Sequence, residues 1–362
     1  MSIQKNDYKN FSWKVHKSNW KLKIPNICKF ELSFGCGLHC RHCYTDCYNN
    51  TGSIRKELST GKIKNIIDKL FNSGVLWICF TGGDPLSRPD FLEIYSYAKK
   101  RGFIIIVYTN GFSMTEKFAD YFKKNPPFAV EITLNSVNSK TYEYMSGVKG
   151  SYEKTMNGIN LSINKRLPLK LKTHVTKDNI KEIPQIRKFV NKLGIKFDLK
   201  YDLFPRLNGD LKPCSLRIKP EEVISLYYGR RELKLIKDRQ KTANTANTAA
   251  NLVLSSRNIF NCAAVCTDGI YINPYGNLFV CNAVREPSYH VFTIDIQSAY
   301  RKLTAWAENK IFTTQSKCKT CEIRLFCNNC PGNALLEAGN LESSIPYYCS
   351  LAQLEFKRRK TI

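Results

Sequence analysis

Long hydrophobic runs are absent from the 362-residue sequence. Its longest apolar stretches, such as residues 102–107, are much shorter than the roughly 20 residues that a membrane-spanning helix needs. Residues 1–21 are polar and lysine-rich, and they lack the apolar core of a secretory signal peptide. The sequence therefore predicts a cytoplasmic protein with no membrane partner.

Acidic residues are also scarce, since 30 Asp and Glu stand against 56 Lys and Arg, a net charge of +26. Such an excess can indicate nucleic-acid binding, because clustered basic residues neutralise phosphates. Here the lysines are spread along the whole chain. This distribution is typical of a compositional bias, and we expect an acidic or peptide substrate rather than a nucleic-acid partner.

Cysteine, in contrast, is abundant, with 15 residues. In a chain without an export signal, that many thiols indicate metal ligands more often than disulfides.

Apolar and β-branched runs alternate with amphipathic helical stretches between residues 27 and 201. In the first such stretch, Ile63, Ile66, Ile67 and Leu70 form the stripe of one buried helix face. Six strand–helix repeats predict an α/β fold, a partial (β/α)6 barrel similar to a TIM barrel, with its sites at the carboxyl ends of the strands. The predicted strands are residues 27–34, 76–80, 103–109, 129–134, 169–175 and 196–201, with further helices at 89–101, 180–193 and 221–237.

The pattern changes after residue 201, and we predict four regions. These are an N-terminal extension (1–26), the barrel (27–240), a low-complexity linker (241–258) and a cysteine-rich domain (259–362) with a β-hairpin around residues 274–277. The last region shows little sustained periodicity, so its fold would depend on bound metal.

The first cysteine group, Cys36, Cys40 and Cys43, directly follows the first predicted strand. Three thiolates on a tight loop can bind three irons of a 4Fe–4S cubane and leave the fourth iron open to another ligand. A zinc site is the alternative, but zinc prefers four ligands in paired C-x2-C spacing. Cys47 could supply a fourth ligand, although we interpret it as a bystander.

This trio resembles the signature of the radical S-adenosylmethionine (SAM) superfamily. The second predicted strand ends in Gly82-Gly83-Asp84-Pro85, which is similar to the family's GGEP loop with aspartate in place of glutamate. The resemblance implies that the backbone of this loop receives the amino group of SAM, and glycines let a main chain approach a ligand closely. On this interpretation the acidic side chain is not required.

Other strand ends extend the resemblance. Thr109-Asn110-Gly111 corresponds to a TNG sequence of the family, and Thr133 and Asn135 stand where relatives carry Ser and Asp beside the ribose and carboxylate of SAM. His174, at the end of the fifth strand, is interpreted more readily as a core histidine than as a catalytic one. The implied cofactor-binding residues are Tyr44, Gly82, Gly83, Asp84, Pro85, Thr109, Asn110, Thr133 and Asn135.

The C-terminal cysteines resemble the SPASM extension of radical enzymes that modify peptides, which holds up to two auxiliary 4Fe–4S clusters. Eight cysteines match two fully ligated cubanes. The resemblance implies one set of Cys262, Cys266, Cys281 and Cys330 and a second set of Cys318, Cys321, Cys327 and Cys349. Two zinc ribbons are the alternative, because the spacing of Cys318, Cys321, Cys327 and Cys330 also suits zinc.

Four cysteines remain outside these sets. Cys79 lies in an apolar strand and is predicted to be a buried small hydrophobe. Cys214 lies in a loop after the sixth strand, where a thiol could return a hydrogen atom to a substrate radical, although we interpret it more readily as a chance loop cysteine. The other two are Cys28 and Cys47.

The resemblance implies that one-electron reduction of the first cluster cleaves SAM to a 5′-deoxyadenosyl radical, which abstracts hydrogen from a substrate. We expect a ribosomally made peptide as substrate, modified by crosslinking, thioether formation or epimerisation. A sulfatase-type protein maturase, a small-molecule radical dehydrogenase and, outside the family, a zinc-binding nucleic-acid module are the alternatives. A flavodoxin- or ferredoxin-type protein would donate electrons. Because only 26 residues precede the first strand, a separate recognition protein or the barrel mouth would bind the peptide.

Overall fold

Six parallel strands alternate with helices over the first half of the chain. The computed structural model describes residues 14–15, 18–19, 21–227, 258–260, 269–313, 315–324 and 327–360. Every predicted strand is confirmed to within two residues, because each apolar run is bounded by turn residues. The strands are β1 (Ile27–Ser33), β2 (Trp77–Gly82), β3 (Ile104–Thr109), β4 (Ala129–Thr133), β5 (Leu169–His174) and β6 (Lys196–Lys200).

The connecting helices cover one face of this sheet. In the first helix, the predicted stripe of Ile63, Ile66, Ile67 and Leu70 is buried against the strands. The helix stops before Gly74, which adopts a φ of 82° that glycine tolerates easily. The helices are α1 (Thr60–Asn72), α2 (Phe91–Lys100), α3 (Glu116–Lys124), α4 (Ser139–Ser146), α5 (Ser151–Asn164) and α6 (Ile183–Lys192), with a one-turn helix at Thr51–Ile54.

The predicted hairpin is present, but it is part of the barrel sheet. Strand β7 (Gly269–Ile272) pairs in parallel with β1, and β8 (Asn277–Phe279) and β9 (Tyr289–His290) continue antiparallel. In the described residues this gives one nine-stranded sheet in the order β6-β5-β4-β3-β2-β1-β7-β8-β9. The cysteine-rich region therefore shares a sheet with the barrel.

Four more α-helices follow in the described residues: α7 (Pro220–Tyr227), α8 (Ile296–Glu308), α9 (Pro331–Ala338) and α10 (Pro346–Lys360). Helix α10 packs against α7. Helix α7 is the start of the helix predicted at 221–237, whose remainder lies outside the described residues, as does the predicted linker except for Asn258. The domain boundaries remain predictions.

Side chains alternate across β1 as expected for a strand. Cys28, Phe30 and Leu32 belong to the hydrophobic core that the helices cover, whereas Lys29 and Glu31 bond to side chains of the C-terminal segment. The uncovered face of the sheet, the barrel interior, is therefore polar. Among the helices of the described residues, none has the length and apolarity that crossing a membrane would need.

Candidate functional site

The three cysteines of the first group lie in the loop that follows β1. Cys36, Cys40 and Cys43 are mutual electrostatic neighbours. Burial raises the pKa of Cys36 to about 12, with the nearby Asp84 carboxylate adding to the effect. The loop thus holds three thiols together in a desolvated position.

Side-chain and backbone hydrogen bonds shape this loop. The Asn49 amide accepts from Cys36 N at 3.1 Å and donates to the Cys36 and Leu38 carbonyls at 3.2 and 2.9 Å. His39 N donates to Ser146 O at the end of α4 at 2.9 Å. The thiols are therefore positioned by contacts that do not involve metal.

The Gly82-Gly83 pair packs directly on the start of the same loop. Gly83 N donates to Ser33 O at 2.7 Å. A Cβ on Gly82 would lie 2.1 Å from Ser33 O, and one on Gly83 would lie 2.5 Å from Phe34 O. The glycines therefore let the β2 loop approach the cysteine loop closely. Their close approach to a ligand stays a prediction.

The Asp84 side chain has a role that the sequence did not indicate. It is fully buried, and its carboxylate accepts from Leu86 N at 2.9 Å, Asn110 N at 3.1 Å and Thr109 Oγ1 at 2.8 and 2.9 Å. Burial raises its pKa to about 6, against the lowering effect of these donors. The carboxylate therefore joins the loops after β2 and β3. Pro85, the next residue of the predicted SAM-binding loop, is buried.

Asn110 reaches the cysteine loop from the end of β3. Its Nδ2 donates to Cys36 Sγ at 3.1 Å, and its Oδ1 accepts from Phe112 N at 2.8 Å. The structure thus brings Asn110, Asp84 and the cysteine trio together at one end of the barrel.

A buried polar pair lies at the ends of β4 and β5. Asn135 Oδ1 accepts from His174 N at 3.0 Å, and its Nδ2 lies 3.5 Å from His42 Nε2. The rings of His42 and His174 are 5.2 Å apart, and burial lowers the pKa of both. Each ring has a buried Nδ1 without a hydrogen-bond partner. A polar ligand bound beside the cysteine loop could hydrogen-bond to these two Nδ1 atoms. Thr133, the last residue of β4, lies at the same end of the barrel.

Tyr44, which the resemblance places among the cofactor-binding residues, bonds to side chains of β1 and of the C-terminal region. Its hydroxyl bonds to the buried Glu31 carboxylate and to the side chain of Asn282. Glu31 Oε1 also accepts from Arg285 Nη2 at 2.8 Å. Tyr44 therefore connects the cysteine loop to the segment after Cys281.

A second thiol-lined space lies in the C-terminal region. A cavity of about 550 Å³ is lined by Cys318, Cys321, Cys327, Cys330 and Cys349, with Asp202 and Arg324 among its other residues. Burial raises the pKa of Cys327 to about 11, and Cys349, Cys318 and Cys321 are near enough to raise it further. These four thiols are the second set predicted from the resemblance, and the cavity places them together.

Cys330 has a different neighbour. Burial raises its pKa, and Cys281 is the cysteine near enough to contribute. This pairing agrees with the first predicted set, whose other members, Cys262 and Cys266, lie outside the described residues. The ligand assignment of both sets stays a prediction.

The described residues contain no three His, Cys, Asp or Glu side chains that converge on one metal ion. The thiol-lined cavity and the grouped cysteines fit the iron–sulfur clusters that the resemblance implies.

The remaining cysteines have protein neighbours. The Cys214 sulfur lies 3.9 Å from Glu337 Oε2 and 4.0 Å from Leu203 O, beside the Arg217–Glu337 ion pair, and burial raises its pKa to about 11. Cys47 lies 3.9 Å from Tyr44 O. Cys28 and Cys79 are both buried.

A partial parallel barrel with a three-thiol loop after its first strand and a double-glycine loop after its second defines a class of iron–sulfur α/β enzymes. The model of the Radical SAM superfamily matches residues 30–190, so these residues form a radical SAM domain. This confirms the recognition made from the cysteine trio. It also confirms the expectation of an enzyme that uses an iron–sulfur cluster and SAM.

Several known proteins resemble this chain. The AdoMet-dependent heme synthase of Methanosarcina barkeri (strain Fusaro / DSM 804) is 23% identical over 89% of this chain and 96% of its own length. The antilisterial bacteriocin subtilosin biosynthesis protein AlbA of Bacillus subtilis (strain 168) is 31% identical over 48% of this chain and 38% of its own. The structure of Streptococcus suis SuiB bound to its precursor peptide SuiA aligns with a TM-score of 0.67 at 16% identity, over 97% of this chain and 82% of SuiB. This last likeness shows a shared fold.

Proposed function

We propose that this protein is a radical SAM enzyme with auxiliary iron–sulfur clusters that modifies a ribosomally made peptide. The observation that carries the proposal is the convergence of three loops. Asn110 donates to Cys36 Sγ, Asp84 joins the β2 and β3 loops, and Gly83 bonds to the start of the cysteine loop. Cys36, Cys40 and Cys43 would hold the cluster whose reduction supplies the electron that cleaves SAM.

The chain's own residues would bind and orient SAM beside that cluster. The main chain of Gly82 and Gly83 would receive the amino group, and Asn135 and Thr133 would contact the ribose and carboxylate. The orphaned Nδ1 atoms of His42 and His174 support a polar ligand at this position. Burial keeps both imidazoles neutral, because it lowers their pKa, and a neutral ring can accept a hydrogen bond.

The C-terminal cysteines would hold up to two auxiliary clusters in the predicted sets. The 550 Å³ cavity, with four mutually close thiols, supports the second set, and the neighbourhood of Cys281 and Cys330 supports the first.

Peptide modification is supported by the likeness to SuiB bound to a precursor peptide and to AlbA, a bacteriocin biosynthesis protein. A heme precursor is a second candidate substrate, because the heme synthase of Methanosarcina barkeri matches this chain over 96% of its own length.

Both candidate reactions need a low-potential electron donor of the flavodoxin or ferredoxin type. A peptide substrate also needs presentation by a recognition protein or by the barrel mouth. The oxygen-sensitive clusters and the free cysteines suit a reducing cytoplasm.

Anaerobic reconstitution tests the proposal. The protein should bind about twelve irons, which corresponds to three cubanes, and form 5′-deoxyadenosine from SAM when reduced. Cys36→Ala should abolish 5′-deoxyadenosine formation, whereas Cys47→Ala in the same loop should retain it. Stoichiometric zinc without iron, or undiminished cleavage by Cys36→Ala, would contradict the assignment.

Substrate choice is tested with two incubations under the same conditions. Mass spectrometry of short peptides encoded beside the gene should reveal a mass change that depends on SAM and dithionite. Conversion of an iron porphyrin with no change in any peptide would favour the second candidate.

A separate variant tests Cys214 as a hydrogen-atom donor. If it has this role, Cys214→Ala should lose product while 5′-deoxyadenosine formation continues. Unchanged product would remove Cys214 from the reaction.

A further inference from the structure

Five side chains from five strands meet in the polar interior of the barrel. Lys29 of β1 donates to the Tyr271 hydroxyl of β7 at 2.9 Å. Tyr108 of β3 bonds to the Cys79 side chain of β2, and Lys172 of β5 lies with Nζ 4.3 Å from the centroid of the Tyr108 ring. We call Lys29, Cys79, Tyr108, Lys172 and Tyr271 the lysine–tyrosine cluster. Cys79 was predicted to be a small hydrophobe; it is buried, but its neighbours are polar.

The two lysines of the cluster have no carboxylate partner in the described part of the chain. The nearby acids are occupied by Lys170, which forms ion pairs with Glu131 at 3.1 Å and with Asp198 at 2.8 Å. Glu131 attracts Lys172 without reaching ion-pair distance, and burial lowers the pKa of Lys172. Buried charges are normally paired, because an unpaired ion loses its hydration without compensation. Both lysines are half-buried. Lys29 has the Tyr271 hydroxyl as its partner, and in the described residues neither lysine lies within ion-pair distance of a carboxylate.

The cluster lies beside the proposed cofactor position. Lys172 pairs in register with Thr133 across β4 and β5 and precedes His174 by two residues. On the other side, Lys29 and Tyr271 are electrostatic neighbours of Cys281. A ligand held by the cluster would therefore lie between the proposed SAM site and the first auxiliary set, which is where a radical reaction needs its substrate.

We propose that the lysine–tyrosine cluster binds a carboxylate of the substrate. Lys29 and Lys172 supply two ammonium donors, and Tyr271 and Tyr108 supply hydroxyl groups; charge-assisted hydrogen bonds of this kind are the strong ones. Acidic side chains of a peptide and the carboxylates of a porphyrin share this chemistry. The inference rests on the proposed function in treating the barrel interior as the substrate chamber.

Glutarate, with its neutral analogue glutaramide, is the probe. Calorimetric titration of the reconstituted protein should show saturable glutarate binding and much weaker glutaramide binding. Lys29→Gln and Lys172→Gln should each weaken glutarate binding about tenfold, the change expected for one charge-assisted hydrogen bond. Lys62→Gln, an exposed α1 variant of equal charge change, should bind glutarate as the unaltered protein does. Tyr271→Phe keeps both charges and should cause a smaller loss.

Three results would overturn the proposal: no saturable glutarate binding, equal binding of both probes, or unchanged binding in the Gln variants. In an alternative role, the two lysines would only balance the negative charge of an auxiliary cluster. Their Gln variants would then shift that cluster's reduction potential and leave glutarate binding intact, which equally overturns the proposal.

Formation of 5′-deoxyadenosine without substrate separates this proposal from the proposed function. All these variants should retain it, together with full iron content and an unchanged circular dichroism spectrum. Glutarate binding without any SAM cleavage would contradict the proposed function and leave the anion site standing. Competition with a glutamate-containing tripeptide and with a tetracarboxylic porphyrin identifies the source of the carboxylate, and displacement by neither would exclude a substrate site.

Discussion

The two cysteine-rich regions of this molecule are built in opposite ways. The trio after β1 is positioned by hydrogen bonds and glycine contacts from β2, β3 and α4. The C-terminal thiols line a cavity in a segment where, between α8 and α9, the described residues have little regular structure. We expect the first site to keep its shape without metal and the second to depend on bound metal.

The largest expected effect is therefore the loss of iron from the C-terminal region. Cys318→Ala or removal of iron by a chelator should expose residues 315–349 to proteolysis, because the thiols there have no other crosslink. The barrel should stay protected. Limited proteolysis with mass mapping checks this, with Cys28→Ala as the matched control, since Cys28 lies in the barrel core. If both regions of the iron-free protein resisted proteolysis, the C-terminal region would not depend on its metal for folding.

Gly82→Ala should disrupt the first region more than any single polar change. The new Cβ would lie 2.1 Å from Ser33 O at a φ of 126°, which we expect to cost about 3 kcal/mol or more in unfolding free energy. Urea denaturation followed by circular dichroism measures the loss. Gly61→Ala, which places its Cβ in open space, should be neutral or slightly stabilising. Equal behaviour of the two variants would show that the β2 loop does not depend on close approach.

Asp84→Asn should have the next largest effect. The substitution directs an amide NH2 group at donors that now share two carboxylate oxygens, so we expect about 2 kcal/mol of lost stability. Iron binding at the first site should also weaken, because the loops after β2 and β3 separate. Asp120→Asn is the control; its exposed carboxylate forms a surface ion pair with Lys165, and such pairs contribute little to stability. A stable Asp84→Asn protein with normal iron content would make the buried carboxylate dispensable.

Asn110→Ala should have the smallest effect, visible in the cluster and not in the fold. Loss of the hydrogen bond to Cys36 Sγ removes a stabilising contact to the reduced cluster, so the reduction potential should fall by on the order of tens of millivolts. Redox titration monitored by electron paramagnetic resonance measures the shift. Asn65→Ala on the exposed face of α1 should leave the potential unchanged. An unshifted potential in Asn110→Ala would mean that Asn110 does not bond to the bound thiolate.

Local pattern was sufficient to predict the strands and to indicate the loops that the structure brings together around the cysteine trio. Apolar runs between turn residues located β1 to β6, and the cysteine, glycine and TNG motifs each followed a strand end. The sequence could not show that β7 pairs with β1, since periodicity gives no partner across 242 residues, the separation of Lys29 and Tyr271. It also did not show that Asp84 joins two loops, because a side chain's burial and donors depend on the whole fold. The lysine–tyrosine cluster was equally hidden, since its members come from five strands.

The pairing of β7 with β1 has a consequence for synthesis of the chain on the ribosome. The β1 edge of the nascent barrel has no β7 partner until residues 269–272 emerge, long after the six barrel strands have been made. Exposed strand edges recruit other strands, and late long-range pairing exposes a chain to aggregation. A nascent or truncated chain that ends before β7 therefore carries an open edge directly beside the cysteine loop, and its production would depend on chaperones.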